Sequence, residues 1–389
     1  MVLSSYLKNK QNRINGTNYT ESEIEGQVEL WQDVYNMISE KKESLNDFLL
    51  PLLKLKDLRI ILTGAGSSAF IGDAVKDILQ FETQRITQAI ATTDLITHPR
   101  LFFIKELPTL MISFARSGNS PESLEAVNLA NIYCKKVFHL IITCNEDGQM
   151  IQNTSAPNYF TFILPENAND KALAMTGSFT SMLLSITIIA KLHQLEELKS
   201  SLYNLMDDAK HLMVKYGAGL KKIADQKFER VIFLGSGPLL GIARECHLKL
   251  QELTDGQVIC KYDSYLGFRH GPRVVANEKS LIVYLFSDDD HVFQYEKDLA
   301  NAIDTDSIPT VSFGRKISGL KNSILDIEFA HAKSSKNEFY FISATLLGQI
   351  LGLYKSIALG LNPDTPSLNG RINRVVEGVS IYPVQHLPV

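Results

Sequence analysis

Two residues in the second half of the chain are of the types that move protons between neighbouring carbons. Glu252 closes the run Lys249-Leu250-Gln251-Glu252, and His270 opens His270-Gly271-Pro272 a short way further along. A carboxylate can carry a proton from one carbon to the next, and an imidazole can open a sugar ring, which is the pair an aldose–ketose isomerase needs. Each also has a plainer meaning: Glu252 as a solvated helix residue, His270 as a loop residue before a Gly-Pro turn. A second constellation lies in the first half, where Ser113 to Glu122 reads S-F-A-R-S-G-N-S-P-E directly after a buried-type strand. Arg116, Ser117, Gly118 and Ser120 supply charge, hydroxyls and backbone donors that can surround a phosphate. The plainer reading is a helix start, with Ser120 as N-cap and Pro121 at the first helical position, and both readings can hold at once. The third feature is Gly64-Ala65-Gly66-Ser67-Ser68 between a strand and a helix. Its glycines allow a tight turn, and the helix start offers amides to an anion. The spacing is not the dinucleotide fingerprint, and an ordinary strand–helix turn accounts for it equally well.

Positioning these loops requires strands that end where they begin. Arg59 to Thr63, Leu110 to Phe114 and Val137 to Thr143 are short apolar, β-prone runs, each followed by a polar loop and a helical pattern. Alternating strands and helices predict an α/β fold with a parallel sheet covered on both faces. The second half repeats the order at Val231–Leu234, Leu281–Leu285 and Ile308–Phe313. The interval from Gly64 to Gly235 is the same as that from Leu110 to Leu281 and from Val137 to Ile308. Three equal offsets in register predict a duplicated domain. The expected division is a helical segment over 1–50, a first domain over 51–205, and a second domain with a C-terminal tail over 206–389. Ahead of the first strand, Thr20-Glu21-Ser22-Glu23 reads as a capping box. It opens one amphipathic helix over about 21–40, with a second over about 43–54. Phe179 to Ala190 reads as a buried helix, too short and too often interrupted by Ser and Thr to span a bilayer. At the place of the Ser-rich loop, the second half has Ser287-Asp288-Asp289-Asp290-His291. Three carboxylates there would repel phosphate, so only the first half is expected to bind it.

Composition narrows the classes. The 389 residues carry a net charge of −4, with 45% hydrophobic and 21% charged residues. That is ordinary for a globular protein and argues against a nucleic-acid partner, while a local cluster of donors can still hold an anionic small molecule. Met1 to Asn15 contain no apolar segment resembling a signal peptide, and Cys134, Cys144, Cys246 and Cys260 form no C-x-x-C pair. A cytoplasmic protein without membrane contact is expected. The other histidines, His331 and His386 among them, show no ligand spacing. Asp288 to His291 comes nearest to a metal pattern, and no metal site is assigned.

Taken together, A-R-S-G-N-S at 115–120, K-L-Q-E at 249–252 and R-H-G-P at 269–272 on a two-fold α/β repeat resemble the SIS-domain phosphosugar isomerases. The likeness covers roughly residues 20–380. Leu173 to Thr180 and Tyr265 to Pro272 are similar to the AgaS-type group in particular, whose members are named galactosamine-6-phosphate deaminase/isomerase or tagatose-6-phosphate ketose/aldose isomerase. The resemblance implies two tandem SIS domains, each a flavodoxin-like three-layer α/β/α unit, and an amino-sugar 6-phosphate substrate. It implies that Gly66, Ser67, Ser68, Arg116, Ser117, Ser120, Thr176 and Lys249 line the substrate pocket. Glu252 would be the proton-shuttling base and His270 the ring opener. No cofactor is implied. In the related isomerase domain of glucosamine-6-phosphate synthase the matching histidine comes from a neighbouring subunit, which implies a homo-oligomer with the site near an interface. That synthase has Ser where this chain has Ala115, and a catalytic Lys near its C-terminus. This chain has no Lys beyond Lys355 and offers Arg371 and Arg374 there instead. An arginine binds charge but does not give up its proton.

Overall fold

The structure is a computed structural model. It describes residues 19–383 apart from 153, 155, 330–336 and 377; the polar run Met1 to Asn15, His331 and His386 lie outside it. Two five-stranded parallel sheets organise the described chain. In the first half the elements run α1 (Thr20–Glu25), α2 (Gln27–Glu40), α3 (Lys42–Leu53), β1 (Arg59–Thr63), α4 (Ser67–Thr83) and β2 (Thr87–Ala89). They continue through β3 (Thr109–Ala115), α5 (Pro121–Tyr133), β4 (Val137–Thr143), β5 (Tyr159–Ile163) and α6 (Gly177–Ala190). The second half contributes β6 (Arg230–Leu234), α7 (Pro238–Leu253), β7 (Ile259–Asp263), β8 (Ser280–Leu285), α8 (Asp290–Ile303), β9 (Thr310–Gly314), β10 (Ser323–Glu328) and α9 (Thr345–Ala358).

The first sheet has strand order β2-β1-β3-β4-β5 and the second β7-β6-β8-β9-β10, so the two share one topology. Corresponding registers agree as well. Arg59 pairs with Thr109, and Arg230 pairs with Ser280, both partners displaced by the interval that separates Gly64 from Gly235. The constant offset seen in the sequence is therefore an offset between equivalent strand positions. The strands β2, β5, β7 and β10 are not among those expected from the sequence, although β5 (Tyr159–Ile163) is β-prone throughout. All four are outermost strands, short or only partly buried, and lack a clean apolar run. By contrast, β3 and β8 are buried at every position, as central parallel strands must be.

The halves meet through α4 and α7, which cross in close contact. A Cβ at Gly241 would stand 2.5 Å from the backbone nitrogen of Ala74, so only glycine permits this approach. At the same crossing Arg244 pairs with Asp73 at 2.5 Å. These two residues occupy equivalent positions in the two halves, so a local pseudo-two-fold axis runs between the helices. The crossing brings the start of α4 against the C-terminal half of α7: Ser67 donates to Glu245 at 3.1 Å.

Two expectations for the N-terminal region change. The predicted helix over about 21–40 is divided at Gly26 into α1 and α2. The Thr20–Glu23 run is no capping box. Thr20 lies inside α1, and its backbone nitrogen and hydroxyl both bond Asp364, at 2.8 and 2.7 Å. Glu23 accepts from the amides of Lys171 (2.5 Å) and Ala172 (3.3 Å). Long-range partners take both side chains because the segment after α9 and the loop before α6 both pack against this helix start. Helix α6 is buried along nearly its whole length, as expected. The stretch Tyr340–Ala358 is long and apolar enough to cross a membrane, yet it lies mostly buried inside the fold.

Candidate active site

In an open parallel sheet, ligands settle beyond the carboxyl ends of the strands, where the strand order reverses. In the first sheet that point lies between β1 and β3. The loop after β1 turns through Gly66, whose φ of 55° and ψ of −131° suit a residue without a side chain, and Ser67 then opens α4. The loop after β3 turns through Gly118, with φ at 65°. It is braced from behind: Asn145 donates to the Ser117 carbonyl at 2.8 Å, and Gln149 donates its amide to Asn119 at 2.9 Å. Ser120 does stand at the start of α5 ahead of Pro121, but its hydroxyl donates to Ser123 at 2.7 Å and caps no amide.

Two adjoining cavities open here. The smaller, about 110 Å³, is lined by Ser68, Ser117, Gly118, Ser120 and Glu122 among others. It is of a size for one oxyanion group rather than a whole sugar. The larger, about 570 Å³, is lined by Gly66, Ser67, Lys249, Glu252, Arg371 and neighbouring residues. Ala65, Arg116, Met175, Arg374, Val375 and Val376 border both. The loops of the first half and the C-terminal half of α7 thus face each other across one continuous space.

On the α7 wall, Glu245, Lys249 and Glu252 recur at helical spacing on one face. Lys249 is fully buried between the two carboxylates, 3.3 Å from Glu245 and in direct contact with Glu252. Burial alone would lower its pKa, but the two carboxylates outweigh that and hold it above the usual lysine value, so it stays charged. Full burial pushes Glu245 up to about 7, with Glu252 acting in the same direction and Lys249 and Ser67 offsetting part of the rise. Glu252 itself remains partly open to the cavity.

On the opposite side Arg116 is buried, and its guanidinium is committed to backbone carbonyls: Leu173 at 3.0 Å, and Arg374 in a short contact. Arg374 in turn donates to the Asp170 carbonyl at 2.7 Å and to Asn169 at 2.5 Å. The two arginines therefore pin the C-terminal segment over the cavity while adding positive charge to its rim. Thr176 lines neither cavity. It is fully buried, and its hydroxyl donates to Asp170 at 2.9 Å. Asp170 also accepts from the amides of Gly177 and Ser178, and so caps α6.

Gly66, Ser67, Ser68, Arg116, Ser117, Ser120, Lys249 and Glu252 thus border one space, whereas His270 does not. It is exposed in the turn just after the short helix Tyr265–Phe268, next to Gly271 with φ at 131°. Sequence reasoning passed over Glu245 and Asp170, and named Glu122 only as part of the helix start after the Ser-rich loop. The spacing of Glu245, four positions before Lys249 on one predicted helix, could have found it. Asp170 sits in a loop with no local pattern and becomes visible only once the chain is folded. Among the described residues no group of His, Cys, Asp and Glu is arranged to hold a metal.

The family description "SIS domain" matches residues 52–192. The chain is 37% identical over 374 residues to D-galactosamine-6-phosphate deaminase AgaS of Shewanella sp. (strain ANA-3), covering 95% of this chain and 92% of that protein. Among solved structures, a candidate tagatose-6-phosphate ketose/aldose isomerase of Clostridium novyi NT superposes with a TM-score of 0.90 at 37% identity, covering 98% of each chain. The tagatose-6-phosphate ketose/aldose isomerase of Escherichia coli superposes with a TM-score of 0.85 at 34% identity, covering 95% of this chain and 97% of that one.

Proposed function

The chain belongs to the AgaS family of SIS-domain enzymes, and we propose that it converts galactosamine 6-phosphate and water into tagatose 6-phosphate and ammonia. The observation that carries this reading is the continuous cavity with Ser-rich oxyanion loops on one wall and the Lys249–Glu252 pair on the other. In this reading the phosphate occupies the smaller recess among Ser68, Ser117 and Ser120. Gly66 and Ser67 contribute the helix-start amides. Binding there supplies energy remote from the reacting carbons and fixes where C1 and C2 lie. Arg116 and Arg374 keep the rim positive, and Thr176 acts behind the wall by fixing Asp170.

Glu252 takes the proton from C2 of the opened sugar, and the electrons of that C–H bond pass through C1 to the aldehyde oxygen. The Lys249 ammonium, adjoining Glu252, balances the charge that develops there. Returning the proton to C1 converts the enolamine into a C2 iminium. Water adds at C2, ammonia departs, and the ketose carbonyl remains. His270 is the candidate for ring opening. It borders neither of the two cavities described above, and we infer that it serves the cavity of a second copy.

The test is ammonia release by the purified chain from galactosamine 6-phosphate, with glucosamine 6-phosphate and Glu252→Gln as controls. Ammonia is expected from the galacto sugar. In Glu252→Gln turnover falls on the order of a thousand-fold while sugar-phosphate affinity stays within a few-fold. Normal turnover in that variant would remove Glu252 from the reaction. The same two proton transfers also interconvert a C2-hydroxy aldose and ketose. Ketose formation without ammonia would therefore reassign the chain to plain isomerisation.

A further inference from the structure

The second half retains the turn that serves the proposed phosphate site in the first. Gly237 has φ 54° and ψ −128°, nearly the values at Gly66, and opens α7 as Gly66 opens α4. The strand order reverses between β6 and β8 as it does between β1 and β3. The loop after β6 therefore repeats the turn after β1, whereas the loop after β8 differs from the one after β3: Asp289, the positional equivalent of Gly118, has φ −75° and already caps α8. What lies against them is Glu296, from the second turn of α8. It is fully buried. Its Oε2 accepts the Ser287 amide, from the loop after β8, at 2.8 Å. Ser236, from the loop after β6, neighbours the carboxyl group and favours its ionised form. Ser236 and Ser287 are the positional equivalents of Ala65 and Arg116, two residues that border both cavities of the first half. The other oxygen of Glu296, Oε1, is buried without a partner, and so is the neighbouring Tyr265 hydroxyl. Asp288, Arg315 and Tyr340 complete the charged and titratable surroundings.

A carboxylate is costly to bury, and a polar core position has cheaper occupants. A backbone amide from one loop, with a serine of the other loop beside it, is the kind of setting that a switch-point crevice turns toward an oxyanion. We propose that the second half keeps an oxyanion-binding crevice and that the Glu296 carboxyl group occupies it, standing where the first half receives a phosphate. The comparison rests on the phosphate reading of the first half, but the occupancy itself does not. The aspartates of the adjoining loop have other tasks. Asp289 caps α8 by accepting the amides of His291 (2.8 Å) and Val292 (3.0 Å), and Asp290 pairs with Arg315 at 2.7 Å. A second sugar phosphate is therefore kept out chiefly because the donors are already occupied, and only secondarily by repulsion from Asp288 to Asp290.

The experiment is chemical rescue. Glu296→Ala, Glu296→Gln and the wild type are melted in sodium formate and in sodium chloride of equal ionic strength, and again with inorganic phosphate. Glu296→Ala in chloride is expected to melt lower than wild type by on the order of 5 °C, with formate restoring more than half of that loss. Wild type and Glu296→Gln, whose crevices are filled, shift little, and they control for anion binding in the first half. A formate response in Glu296→Ala no larger than in wild type would overturn the proposal. If Glu296→Ala does not fold in chloride, refolding from urea is compared in the two salts. Recovery in formate alone supports the proposal, and failure in both sinks it. The readout is thermal or refolding yield, so it stands whether or not the chain deaminates its sugar.

Discussion

Lys249 sits between two carboxylates of unequal burial, and that inequality sets what each can do. Glu252 faces the cavity. Glu245 does not, and burial holds its proton up to a pKa of about 7. The folded chain then binds that proton more tightly than the unfolded chain does, whose glutamate titrates near 4.5. The stability contributed by this group is complete below about pH 4.5 and is lost as pH rises through about 7. Glu23 and Glu296, raised to about 7 chiefly by burial, act with the same sign. Melting temperature should therefore fall between about pH 5 and pH 8, and Glu245→Gln should flatten the decline. An unchanged slope in that variant would show that the Glu245 proton is not what titrates. Residue-level chemistry was partly legible in the sequence. The Ser-rich loop announced itself by following a strand, Glu252 by its type and Lys249 only through the family resemblance, and all three border the cavity. Asp170 was not legible, because five donors reach it only after the chain has brought Thr176, Gly177 and Ser178 round to it.

At the scale of elements, the crossing of α4 and α7 sets the site's geometry. It carries the start of one helix to the acidic end of the other, and the approach depends on Gly241. Gly241→Val would drive a side chain into the backbone at Ala74. A cost of about 3 kcal/mol or more is expected, read as a lowered melting temperature. Because the crossing positions Glu252 against the loops, sugar-phosphate affinity should weaken in parallel. A variant that melts within about 1 °C of wild type would mean that the helices can separate without penalty. The central strands were readable because central parallel strands are continuously apolar. The outer strands and the break at Gly26 were not, since their limits are set by neighbours rather than by local pattern. The supposed capping box shows the same limit: Thr20 and Glu23 have the right spacing for each other but bond Asp364 and the Lys171–Ala172 backbone instead.

At the scale of the whole molecule, His270 stands exposed and away from the cavity in which the proposed reaction calls for an imidazole, in a segment that also exposes Leu266 and Val274. If two copies complete each other's sites, two dead variants should repair one another. Mixing His270→Ala with Glu252→Gln after dissociation and reassembly is expected to recover about a quarter of wild-type turnover, since each hybrid dimer holds one intact site. No recovery would place His270 outside the reaction or within its own subunit.

The cavity's two walls belong to different halves of the chain, joined chiefly where α4 lies on α7. On the proposed function, a sugar phosphate held by Ser117 at one end and Glu252 at the other would be a cross-link as well as a substrate. While it is bound, the halves can separate only by giving up the ligand's contacts together with their own. Each turnover would then stabilise the junction on loading, and release of the product would withdraw that stabilisation.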